Sequence, residues 1–176
     1  PMVYPFLVPL GLHWPLNAVM LANIANDATG NIDFIQGPMG AWNFACFGAT
    51  AAVLVWAVRD KDQNMRQTAS GALAAGLLGG ISEPSLYGIH LRFKRIYPFM
   101  LVGCFVGGLI EGVGGGVNTN TFAFTSLLTI PVFDPMFLYA VAVVAAFATS
   151  FTLILFFNYR TKEERAEALA AAGVVE

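Results

Sequence analysis

Charged side chains are scarce in this 176-residue chain, at 11% of residues against roughly 25% in an ordinary soluble domain. With 57% hydrophobic residues and a mean hydropathy of +0.66, that scarcity excludes a disordered chain and an ordinary cytosolic enzyme. An excess of one sign is also missing. Nine basic and eleven acidic residues leave a net charge of -2, so no field gathers polyanions and nucleic-acid binding is excluded. Cysteine is limited to Cys46 and Cys104, each alone in an apolar stretch, which reads as small buried hydrophobes and gives no CxxC or metal cluster. The Gly-rich run at 112–116 lacks the GK[ST] ending and a preceding strand, so no phosphate loop is present. No metal, cofactor or Ser/His/Asp triad is expected. There is no charged leader with a cleavage site, and Pro1 lies inside an apolar run, so the expectation is a piece of a longer polypeptide.

What the sequence does hold is long apolar runs punctuated by three basic clusters. These are Arg59, Lys61, Arg66; Arg92, Lys94, Arg95; and Arg160, Lys162, Arg165. Short Lys/Arg-rich loops favour the cytoplasmic face, so the chain must leave that face and return between clusters. A helix crosses the hydrocarbon core in about 20 residues. Ile96–Val113 and Met136–Phe157 fit an outward and a returning span, joined by the Gly/Asn/Thr-rich segment Gly114–Pro135. Pro38–Val58 fits a further span.

Residues 67–91 are too few for two crossings. They suffice for two half-length limbs that turn at Gly79-Gly80 and Ser82-Glu83-Pro84 and leave by the same face. Irregular backbone at that depth must be covered by protein or line a wet cavity. The expected fold class is therefore an all-α membrane protein, with transmembrane helices and at least one re-entrant hairpin carrying Glu83 near its tip. Pro1–Ile24, broken by Pro5, Pro9 and Pro15, fits a second interrupted element. The polar tail at 163–172 fits a short cytoplasmic helix.

Only two acids, Glu83 and Glu111, sit in apolar surroundings. A carboxylate at membrane depth is costly, which makes it a site candidate. Glu83 is the stronger, although Glu83-Pro84 also fits a simple helix start. Glu111, one turn from its span's end, fits an interface as well as a site. His13 can hydrogen-bond a polyol from either ring nitrogen or serve as a structural histidine; His90, beside the basic cluster, is expected at the interface. Asn43, between Trp42 and Phe44, pairs an amide with aromatic faces, a combination that suits sugars. Asn17 and Asn23 add amides near His13. Any of these amides also serves as helix-packing glue.

Gly80-Ile81-Ser82-Glu83-Pro84-Ser85-Leu86-Tyr87-Gly88 resembles the GITEPxxYG signature of the membrane permease (EIIC) components of the bacterial phosphoenolpyruvate:sugar phosphotransferase system. Pro9-Leu10-Gly11-Leu12-His13-Trp14, Ala41-Trp42-Asn43-Phe44-Ala45, Leu91-Arg92-Phe93-Lys94-Arg95 and Ser126-Leu127-Leu128-Thr129-Ile130-Pro131 are similar, in order, to further segments of its β-glucoside/sucrose/trehalose branch. Ser82 replaces the usual Thr, and Cys46 stands where Gln is common.

The resemblance implies the C-terminal, substrate-binding half of a permease domain over 1–158, with a cytoplasmic tail over 159–176. It implies a multi-pass protein of the bacterial inner membrane. The family's sugar-contacting Glu and His fall on Glu83 and His13. Glu83 is the candidate catalytic residue, and His13, Glu83, Asn43, Ser82 and Trp14 form the candidate substrate-binding set. The implied substrate is a β-glucoside or a disaccharide such as sucrose or trehalose. It is phosphorylated by a phosphocysteine EIIB domain fed by EIIA and HPr, and the fragment alone is expected to be inactive. Further implied partners are the permease's N-terminal half, a second copy and membrane lipid. Arg92, Lys94 and Arg95 are placed to dock the phosphorylated domain or offset its charge, or simply to fix topology. The rival reading is an ion-coupled symporter with Glu83 as its coupling-ion site.

Overall fold

The computed structural model describes residues 1–171. Two short helices, α1 (Tyr4–Leu7) and α2 (His13–Ile24), open the chain. They are separated by a turn in which Gly11 adopts a left-handed φ of 72°. The interrupted first element predicted from the prolines is therefore observed. Then follow α3 (Gln36–Arg59), α4 (Gln63–Gly79) and α5 (Glu83–Ser85), which continues into a wide π-type turn at Leu86–His90. Helices α6 (Ile96–Val113), α7 (Met136–Phe157) and α8 (Lys162–Ala171) complete the order. The bounds of α6 and α7 are those expected from hydropathy. The expected tail helix begins one residue earlier, and Ala172 lies outside the described residues.

Three helices, α3, α6 and α7, are long and apolar enough to cross a membrane. Helix α3 is the centre, 78% buried in its most apolar window, whereas α6 and α7 are 33% and 28% buried and turn broad apolar faces outward. Small residues let these helices approach closely. Gly48 lies against the backbone of Phe147, Gly40 against the Tyr139 ring, and Gly103 against Ser150. A side chain at any of the three would collide with its neighbour.

The hairpin is real but uneven. Asp62 starts α4 by accepting from the Met65 amide at 2.9 Å. Gly80, at φ 70°, ends it through a bond to the Gly76 carbonyl at 2.7 Å. At 1.5 Å per residue α4 rises about 25 Å and the returning limb 83–90 about 12 Å. The limbs are therefore not both half-length. Asp62 begins the helix four residues before the stretch that hydropathy marks, because capping rather than apolarity decides that end.

The returning limb is locked to α3 by His90, which is fully buried and not interfacial. The Thr50 hydroxyl donates to the Cys46 carbonyl at 3.0 Å, so its oxygen accepts from His90 Nε2 at 3.1 Å. Nδ1 faces Cys46 Sγ at 3.6 Å. The Thr50 contact assigns a proton to Nε2. The histidine escapes the interface because the limb stops short of the end of α3.

Glu111 is likewise buried, at 3% exposure, with neither carboxyl oxygen hydrogen-bonded. Asp33, although in a loop, is fully buried. It accepts from the Ile35 and Gln36 amides at 3.1 and 2.9 Å and from Asn23 Nδ2 at 2.8 Å, and so starts α3. Its backbone pairs with Thr119.

The three basic clusters meet at one end of the molecule, as the topology argument requires. Arg160 pairs with Asp62 at 2.6 Å, Arg165 with Asp60 at 2.8 Å, and Arg95 Nη2 donates to the Phe157 carbonyl at 3.2 Å. The loop 114–135 lies at the other end and folds back inward.

Candidate functional site

Two irregular segments meet beside α3. The hairpin turn reaches it from the basic end, and loop 114–135 reaches it from the opposite end. Asn43 joins them: its Nδ2 donates to the Gly80 carbonyl at 3.2 Å and to Thr125 Oγ1 at 2.6 Å. Seven residues inside the start of α3, Asn43 sits about 10 Å along that helix. Gln36 holds the same loop from the helix start, donating to the Thr121 carbonyl at 3.3 Å and accepting from the Ala123 amide at 2.9 Å.

Under this junction lies a cavity of about 220 Å³. Its polar wall carries His13, Asn17, Asn43, Ser82 and Glu83. Its apolar wall carries Tyr4, Trp14, Met39, Trp42, Phe122 and Phe124. Tyr4 stacks near Trp42 with ring centres 6.5 Å apart, and its hydroxyl donates to Met39 Sδ at 3.1 Å. Trp14 lies 5.4 Å from the His13 ring and stays 63% exposed, forming the rim.

His13 Nε2 is 3.4 Å from Glu83 Oε1. The His13 side chain is 12% exposed and that of Glu83 36%, so the carboxylate remains accessible from the cavity. Neither His13 ring nitrogen has a hydrogen-bond partner, and neither does Asn43 Oδ1. Buried polar atoms are normally satisfied, so three orphans on one cavity mark a place for a ligand's polar groups. The chemistry they offer is specific. An ionised Glu83 only accepts, a neutral His13 donates from one nitrogen and accepts at the other, and Asn43 Oδ1 accepts. A neutral ligand with several hydroxyls and apolar C–H faces satisfies all of these.

All five residues expected to contact substrate line this one cavity. Asn17 joins them, but Asn23 does not, being spent on Asp33. Tyr4, Met39, Phe122 and Phe124 were not anticipated. Tyr4, Phe122 and Phe124 reach the cavity through long-range folding of the first helix and of the outer loop, which no local spacing announces, whereas Met39 lies one helical turn before Asn43 on the same face of α3. Arg92, Lys94 and Arg95, grouped in sequence, diverge: Arg92 lines a polar cleft, Lys94 an apolar groove with Pro5 and Phe6, and Arg95 bonds the end of α7. Among the described residues no cluster of three or more His, Cys, Asp or Glu is placed to hold a metal.

Comparison with known proteins identifies the family. The chain is 56% identical, over its whole length, to the PTS system glucose-specific EIIBCA component of Corynebacterium glutamicum, of which it covers 26%. It is 54% identical over 147 residues to the mannose-specific EIIBCA component of the same organism, covering 84% of this chain and 21% of that one. An arbutin-, cellobiose- and salicin-specific EIIBC component of Escherichia coli is more distant, 31% identical over 87% of this chain and 31% of its own length. The chain thus spans between a fifth and a third of these relatives. The β-glucoside branch expected from the motifs is among the relatives, at lower identity than the glucose- and mannose-specific components. No solved structure matches the chain. The family described as phosphotransferase system, EIIC, matches residues 1–108, which hold both His13 and the complete Glu83 motif, and the chain belongs to that family.

Proposed function

We propose that this chain forms the substrate-binding part of a sugar permease whose transport is coupled to phosphorylation of the sugar. The observation that carries the reading is the cavity itself, where unpartnered polar atoms of His13 and Asn43 lie beside the Glu83 carboxylate, opposite aromatic faces. The substrate class is a hexose. The relatives of highest identity given above are named for glucose and mannose, and a cavity of about 220 Å³ is the scale of one sugar ring. This replaces the β-glucoside or disaccharide expected from the motifs alone.

In this reading the sugar enters from the side of loop 114–135. Its hydroxyls donate to Glu83 and Asn43 and exchange hydrogen bonds with His13, while Trp14 and Trp42 cover its C–H faces. Ser82 supplies one more hydroxyl. The phosphoryl donor is a phosphocysteine on an EIIB domain, recharged through EIIA and HPr; the relatives named EIIBCA carry B and A parts beside C. A sugar hydroxyl oxygen attacks phosphorus, an O–P bond forms, the P–S bond breaks, and cysteine thiolate leaves. The hydroxyl proton passes to the Glu83 carboxylate. Catalysis of this kind rests on in-line positioning and charge stabilisation. Residues 1–158 act with an N-terminal half and a second copy, embedded in lipid, and 159–176 form the tail toward the soluble domains.

The test is equilibrium binding of glucose, mannose and cellobiose to the complete permease, wild type and Glu83→Gln. The reading expects one hexose to bind most tightly and to weaken about 10- to 100-fold in the variant, the scale of a charged hydrogen bond. Equal hexose affinity in both proteins overturns it. Binding that requires a sodium or proton gradient instead moves Glu83 to a coupling-ion role.

A further inference from the structure

At the basic end a second cleft, of about 460 Å³, opens between the start of α4 and the returning limb of the hairpin. Three cations line it: Lys61, Arg92 and Arg160. One carboxylate, Asp62, accompanies them, and Arg160 Nη2 already occupies it at 2.6 Å. Arg160 has only 5% of its side chain exposed, and its Nη1 is buried without a partner. Among the described residues neither Lys61 nor Arg92 takes part in an ion pair. Glu164 and Glu167 of α8 face Arg92 and Arg160 from an adjoining cleft; Glu164 accepts from the Thr161 amide at 2.8 Å. They leave the side of Lys61, Gln63 and Asn64 without an acid other than Asp62.

Converging cations repel one another, and a buried guanidinium nitrogen without an acceptor is costly. An anion with several oxygens resolves both. The planar fork of Arg and the point charge of Lys together suit a phosphoryl group. The position of the cleft adds an independent argument. Gly88 lines it, and Glu83, five residues earlier on the same limb, lines the sugar cavity. Five helical residues rise about 8 Å, so a single short limb separates the two spaces.

We propose that this cleft is a phosphoryl-binding site, taking the phosphate of a small phosphate monoester on the basic side of the hairpin. The proposal rests on the reading of the chain as a phosphorylating permease. The cleft receives the phosphoryl end of the product after the hairpin limb has released the sugar end. Lys61 and Arg92 supply the adjustable charge, and Arg160, held by Asp62, supplies the fixed floor.

The test titrates inorganic phosphate into the complete permease in phosphatidylcholine nanodiscs, followed by calorimetry. Wild type is expected to bind one phosphate per chain. A Lys61→Gln/Arg92→Gln double variant is expected to bind it about tenfold more weakly or worse, the effect of losing charge-assisted bonds. Both substituted residues are exposed, so the fold is not at stake, and glucose affinity of the double variant serves as the control. Glu83→Gln is expected to leave phosphate binding unchanged, which separates this site from the sugar cavity. No phosphate binding in wild type, or equal binding in the double variant, overturns the proposal even if sugar binding behaves as expected. Nanodiscs containing phosphatidylglycerol form the second arm. Phosphate binding retained there supports a soluble ligand, and its loss there assigns the cleft to lipid headgroups and overturns the proposal.

Discussion

His13 Nε2 and Glu83 Oε1 lie 3.4 Å apart although one opens α2 and the other starts the returning limb of the hairpin. A hydroxyl held between the two can donate to the carboxylate while its oxygen accepts from the imidazole N–H. His13→Ala is expected to weaken hexose binding about three- to tenfold, the scale of one neutral hydrogen bond. His13→Gln, which keeps a donor and an acceptor, is expected to recover part of that loss. Calorimetric titration of the complete permease checks both. Equal affinity in wild type and His13→Ala would remove His13 from the site.

Asn43 ties the hairpin turn to the outer loop through Gly80 and Thr125. Asn43→Ala leaves two buried groups without a partner, which is expected to cost about 1–3 kcal/mol. The melting temperature should fall, and hexose affinity should fall with it because Oδ1 is lost from the cavity. A variant that melts like wild type yet binds hexose weakly would make Asn43 a ligand contact only.

Gly80 combines a left-handed φ of 70° with close approach to loop 114–135. A β-carbon there would lie 2.9 Å from the Phe124 carbonyl carbon and the Thr125 amide nitrogen, both backbone atoms with little room to yield. Gly80→Ala is therefore expected to destabilise the protein by more than the roughly 1–2 kcal/mol of left-handed strain alone. It should also displace Phe124 from the cavity wall. Thermal unfolding and hexose binding, measured together, are expected to worsen in parallel, and an unchanged melting temperature would contradict the contact.

The Asp62–Arg160 pair predicts a pH dependence. Burial pushes the Asp62 carboxyl up, but hydrogen bonds from Arg160 and the Met65 amide, with the charges of Arg160 and Arg92, hold it below the usual carboxylate range. A carboxyl lowered by folding adds stability that is complete above its unfolded value and is lost as pH falls through its folded value. The melting temperature of wild type should therefore drop on acidification below about pH 4, and that of Asp62→Asn should start lower and drop less over the same window. Parallel curves for the two proteins would show that the pair contributes nothing there.

Much of this architecture is legible in the sequence where a single local signal decides it. Helices α6 and α7 are uniform apolar runs with polar borders, so hydropathy gives both ends. The hairpin follows from counting, because residues 67–91 are too few to cross twice. Its inequality was not legible in hydropathy, since α4 begins with the polar stretch Gln63–Ser70 and is started by the Asp62 cap. The motifs single out Glu83, His13, Asn43, Ser82 and Trp14, and all five line one cavity. What local patterning does not reveal is long-range closure. His90 turns from the limb into α3 to meet Thr50, Asp33 is drawn inward where its backbone pairs with Thr119, and Phe122 and Phe124 return from the far loop to roof the cavity. Each depends on partners more than 30 residues away or on a neighbouring element, so no period or spacing announces it.

The central claim is that Glu83 is the residue on which sugar recognition and phosphorylation turn. The direct measurement is phosphoenolpyruvate-dependent phosphorylation of a panel of sugars by the complete permease with its phosphocysteine domain, in membrane vesicles, for wild type and Glu83→Gln at matched protein level. Wild type is expected to phosphorylate glucose or mannose ahead of β-glucosides and disaccharides, and Glu83→Gln is expected to lose about 100-fold or more, the scale of a missing general base. Undiminished phosphorylation by Glu83→Gln would contradict the account.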